Sequence, residues 1–203
     1  MYWFMDSRFA PAYTMADTVI EKMNYNGGFV EIDDIMSVIK KEKNVEILLR
    51  FDDFSKLEGT EGRFRRCGAA MSVPVDASSG APREARIMIN SLFSPEHRRF
   101  SMAHELGHLM TDCHNCTTRE NRFRVSMHID ADITCIDEDL LDEDEIYVSE
   151  QIANIFALLV LMPKQAFVTA RNLLKSEGLI AHHFGVETDA VYSRIKLLDE
   201  YGK

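Results

Sequence analysis

His104, Glu105 and His108 stand in the order His-Glu-x-x-His, inside a stretch from Phe100 to Met110 whose apolar residues recur at helical spacing. Residues four apart share one face of a helix. Both imidazoles can therefore reach a single Zn²⁺ at about 2.0–2.1 Å, while Glu105 stands beside the metal's open position. That trio suits metal-assisted hydrolysis, but a third ligand is required, and Glu150 is the candidate. Ile152, Ile155, Phe156 and Leu159 follow a 3.6-residue period, which predicts a helix with Ser149 as its N-cap and Glu150 in its first turn. Asn154 lies one turn on, on the same face as Glu150. Its amide is placed to hydrogen-bond the outer nitrogen of one histidine and to hold that ring's tautomer. Two helices are expected to share one metal, and Mn²⁺ or Fe²⁺ also suits such a donor set, since selectivity rests on geometry and availability.

The residues from Arg98 to His108, followed by Glu150-Gln151-Ile152-Ala153-Asn154-Ile155-Phe156-Ala157 and Leu161-Met162-Pro163, resemble the ImmA/IrrE family of bacterial and phage-encoded metallopeptidases. The segments Ile180 to Val186 and Ala190 to Ile195 are similar to the family's helical C-terminal part, so that the resemblance runs from about residue 85 to 200. The interval between His108 and Glu150 is longer than the family pattern. The resemblance implies a zincin-like fold with Zn²⁺ on His104, His108 and Glu150, and Glu105 as general base. It further implies a cytoplasmic endopeptidase whose partner is a protein substrate, a transcriptional repressor of a mobile element or stress response. The alternative is a catalytically silent relative that inactivates its partner by binding. The intact Glu105 favours the enzyme, because a scaffold needs the two histidines and not the acid between them.

The rest of the chain must position these residues. Helices are expected over 12–23, closed by Asn26-Gly27-Gly28, and over 32–41, capped by Asp33 or a neighbour. Strands are expected over 45–51, 63–73 and 86–90, with a turn at 76–82. Beyond Pro163 the pattern is helical over 164–176, ended by Gly178, then 179–184, ended by Gly185, and 188–201. The fold class that follows is α+β: a small sheet packed on the helix of His104 and on a second helix bearing Glu150. Residues 1–163 would form the metallopeptidase domain, with 164–203 a helical segment packed on it as one compact unit. Gly107 costs about 0.8–1.0 kcal/mol in a helix relative to Ala, which implies a packing reason such as the close approach of a strand.

Composition narrows the classes. At 203 residues with 46% apolar content the chain can bury a core of its own, and no apolar run reaches the length needed to span a bilayer. Met1 to Met5 is too short for a signal peptide, so Cys67, Cys113, Cys116 and Cys135 are expected as reduced thiols. Cys113-His114-Asn115-Cys116, with His128 and Cys135, is a weak second zinc pattern, and free thiols are the preferred reading. The net charge of −10 is uneven: 63–124 holds ten Arg against six acids, while 130–150 holds ten acids and no Lys or Arg. The acidic block reads as a solvated loop, or else as a rim or lid that favours a basic peptide. The C-terminal helices resemble a helix-turn-helix, yet their charges nearly cancel, so no direct nucleic-acid binding is expected. His182 and His183 are expected to be surface or satisfied core residues.

Overall fold

The computed structural model describes residues 7–54, 68–73, 83–115, 125–127 and 143–202. After a short 3-10 turn at Ser7–Phe9 come α1 (Ala10–Lys22), α2 (Ile32–Lys43), β1 (Val45–Asp52), β2 (Gly68–Val73), β3 (Arg83–Asn90) and α3 (Pro95–Asn115). Next are β4 (Val125–Met127), α4 (Glu143–Leu161), α5 (Lys164–Leu174), α6 (Glu177–Phe184) and α7 (Thr188–Tyr201). The architecture is mixed and mostly helical, around a four-stranded sheet of order β1-β3-β2-β4. β1 and β3 are parallel, with Ile47 opposite Ala85 and Leu49 opposite Ile87; β2 runs antiparallel to both β3 and β4.

Strand periodicity sets the two faces of the sheet. Val45 and Ile47 of β1 and Ala85, Ile87 and Ile89 of β3 point into the core, whereas Glu46, Leu48 and Arg86 between them face outward. α2 lies against β1, and α3 against β2 and β3. α1 buries Ala12, Ala16 and Val19, one helical face, and packs on α4. From Ile155 to Met162 every residue is buried, so α4 is apolar all round and runs through the middle of the molecule, between α1 and α3. The remaining helices join the same core through Phe167, Ile180, Phe184, Val191 and Leu197.

Several boundaries differ from expectation, each for a local reason. α1 ends at Lys22 because Asn24 takes a left-handed φ of 50°, ahead of the two glycines. α2 runs on to Lys43 and is closed by a left-handed Asn44; Glu31 is its N-cap residue, and Asp33 and Asp34 lie inside the first turn, where the helix dipole favours them. Gly178 does not end a helix but lies within α6, and the break before it is the left-handed Lys175. A fourth strand, β4, lies beyond α3 and was not expected. The largest difference concerns α4, which begins at Glu143 rather than Ser149, so that Ser149 is no N-cap and Glu150 lies well inside the helix. Among the described residues no single helix is long and apolar enough to cross a membrane; a bent pair, Val148–Leu161 with Lys164–Leu174, passes by length and composition alone.

Candidate metal centre

α3 begins at Ser94-Pro95, where the Ser94 hydroxyl accepts the backbone N–H of His97 at 3.1 Å and the proline occupies a position that needs no amide hydrogen. Ser94 Oγ also donates to Glu187 Oε1 at 3.0 Å, and His97 Nδ1 lies 3.1 Å from Glu187 Oε2, tying the start of α3 to the start of α7. One turn in, the buried guanidinium of Arg99 donates to the carbonyls of Phe184 and Val30 and stacks 3.9 Å over Phe29. Burial lowers its pKa to about 10, against a smaller opposing pull from Glu31. Sequence reasoning had no means of finding these anchors, because Arg99, His97 and Glu187 meet only in the folded chain.

Farther along α3, His104 and His108 project from one face with their Nε2 atoms 3.0 Å apart. Glu150 arrives from α4: its two carboxylate oxygens lie 3.5 Å from His104 Nε2 and 3.4 Å from His108 Nε2. One donor atom from each of the three residues falls within 4.8 Å of the others, and all three residues are buried. The structure thus brings together the two histidines and the glutamate that the sequence singled out. Two imidazoles and a carboxylate are all Lewis bases, and their convergence away from water is electrostatically compatible with a cation held between them. The donor chemistry fits a divalent metal ion. Burial also pushes the pKa of His104 down, opposed by Glu150 and Asn154, which favours the neutral form of the ring.

Asn154, one turn beyond Glu150, has Oδ1 2.8 Å from His104 Nδ1, the outer nitrogen of that ring. Ser149, which the sequence marked only as an N-cap, is also present: its Oγ stands 3.4 Å from His108 Nδ1. Glu105, next to the first histidine, is fully buried at 0% exposure. His182 and His183 lie exposed on α6 and do not join the cluster. Cys67, Cys116, His128 and Cys135, and the acidic segment up to residue 142, lie outside the described residues.

Gly107 shows how α3 and α4 come close enough to share the site. A Cβ there would meet Ala153 Cα at 3.0 Å, Phe156 Cδ1 at 3.1 Å and the Ala153 carbonyl oxygen at 3.2 Å. The element that demands the glycine is therefore α4 and not a strand. The two helices approach closely at Gly107 and Ala153, between His104 and His108 on one helix and Glu150 and Asn154 on the other.

No curated protein matches the chain. Among solved structures, one described as a Mycobacterium tuberculosis transcriptional regulator superposes with a TM-score of 0.49 at 15% identity, over 92% of this chain and 55% of that one. The chain thus spans about half the length of that protein. Residues 59–196, well over half of the sequence, match the profile of the Peptidase_M78 family, the IrrE N-terminal-like domain, and the chain belongs to that family.

Proposed function

We propose that the protein is a zinc-dependent metallo-endopeptidase of zincin-like fold, with Zn²⁺ on His104, His108 and Glu150 and with Glu105 as general base. The observation that carries the reading is the buried convergence of the two histidine Nε2 atoms and the Glu150 carboxylate, with Glu105 on the same helix. A metal held there would supply Lewis acidity, polarising a scissile carbonyl and easing the deprotonation of water. Glu105 accepts the proton from the attacking water and returns it to the leaving amine. Asn154 holds His104 with its Nδ1 hydrogen outward, which directs the Nε2 lone pair inward. Membership of a metallopeptidase family supports hydrolysis of a peptide bond in a protein substrate. Residues 1–163 and 164–203 act as one unit, the second segment bracing the first. The substrate is a transcriptional repressor of a mobile element or stress response, cut in the cytoplasm.

Glu105→Gln tests this reading because it keeps volume and hydrogen-bonding shape while removing the proton acceptor. Zinc content should equal that of the wild type, and cleavage of a repressor encoded beside the gene should fall by about 10²–10⁴-fold. A variant that inactivates the repressor as well as the wild type does would instead establish the protein as a regulator that works by binding.

A further inference from the structure

The two histidines of the centre have different surroundings on their outer sides. His104 Nδ1 faces an amide oxygen, Asn154 Oδ1, at 2.8 Å; His108 Nδ1 faces a hydroxyl, Ser149 Oγ, at 3.4 Å. Both partners belong to α4, which also carries Glu150 between them in sequence. An imidazole that presents its Nε2 lone pair to a cation must keep its proton on Nδ1, so whatever stands beside Nδ1 has to act as an acceptor. A serine hydroxyl can do so while turning its own hydrogen to a carbonyl one turn back, an ordinary outlet for serine inside a helix.

We propose that Ser149 is a positioning residue for His108. Its oxygen accepts the Nδ1–H bond, fixes the tautomer that leaves Nε2 free to bind a metal, and holds the ring plane toward Glu150. The assignment rests on the reading of His104, His108 and Glu150 as a metal centre. With it, α3 supplies both imidazoles, while α4 supplies the third ligand and the acceptor for each imidazole. The longer distance makes Ser149 the weaker of the two anchors.

The test uses the full chain, with Zn²⁺ as the probe and a competing chelator to read affinity. Ser149→Ala should bind Zn²⁺ about 10-fold more weakly, at the lower end of the range for such outer partners, while Ser149→Thr, which keeps the hydroxyl, should restore most of the loss. NMR of the zinc-loaded proteins supplies a readout that a packing role would not move. The His108 Hδ1 proton should exchange slowly with solvent in wild type and Ser149→Thr but fast in Ser149→Ala, with His104 Hδ1 unchanged in all three. Equal affinity in wild type and Ser149→Ala overturns the assignment, and so does a His108 Hδ1 that already exchanges fast in the wild type. A wild-type protein that takes up no stoichiometric zinc overturns the metal-centre reading itself, and the Ser149 role with it.

Discussion

Asn154 Oδ1 lies 2.8 Å from His104 Nδ1, and the residue was legible in the sequence because Glu150 and Asn154 keep helical spacing wherever the helix begins. Replacing it with Ala should leave the fold intact and weaken metal affinity by about 10–100-fold, measured by chelator competition. Unchanged affinity would reduce the 2.8 Å contact with His104 to incidental packing. His104, Glu105 and His108 were legible for the same reason, since their geometry is local to one helix. Ser149 was not. A serine directly ahead of an apolar helical run is the usual mark of an N-cap, and only the extension of α4 back to Glu143 turns that residue toward His108. The first turns of that helix fall in a run of acids whose like charges suggest a solvated loop, so charge patterning pointed away from a helix there.

The unit that positions His104, His108 and Glu150 is the crossing of α3 with α4, and Gly107 sets its depth. In an open helix, Gly→Ala gains about 1 kcal/mol. At Gly107 the added methyl would press on the Cα and carbonyl oxygen of Ala153, main-chain atoms that cannot rotate aside, and overpacking of that kind costs about 1–3 kcal/mol. The cost wins, and the strain falls on the contact that brings Glu150 to the histidines. Gly107→Ala should therefore lower both the melting temperature and the affinity for Zn²⁺. Gly178→Ala is the matched control, because a Cβ there would find only Ser176 Oγ, at 3.9 Å, and that variant should be neutral or slightly more stable. A Gly107→Ala protein that melts later and binds metal as tightly would show that α4 yields easily. The sequence announced a packing demand at Gly107 but not its source. Strand or helix could satisfy it, and the partner, Ala153, lies 46 residues on, beyond the reach of any local period. The fourth strand escaped for a related reason: β4 is three residues long, too short to display an alternation.

At the scale of the molecule, two buried arginines fasten remote parts of the chain to main-chain carbonyls. Arg99 joins α3 to Val30 and to the end of α6, and Arg194 of α7 donates to Met162 at 2.9 Å, just past α4. Neither shows a sequence signal, since an arginine that packs over phenylalanine reads as any surface cation until the fold closes around it. These ties, with the shared core, hold α3 and α4 against each other and keep His104 out of water. That enclosure has a consequence for the stability of the metal-free protein. Burial is the largest influence on His104 and lowers its pKa, with Glu150 and Asn154 pulling the other way. In the unfolded chain the same imidazole takes up a proton at its ordinary value of about 6.5. Below that pH the unfolded state binds more protons than the folded one, so stability is fully present above about pH 6.5 and is lost as pH falls from there toward the depressed folded value. Urea melts of the zinc-free protein at pH 7.5, 6.5 and 5.5 should show the decline beginning between the first two and steepening toward the third, by at most about 1.4 kcal/mol per pH unit from this one group. His104→Ala should flatten the profile over the same window. A wild-type profile that is level over this window and unchanged by His104→Ala would show that burial in the fold does not depress the His104 pKa.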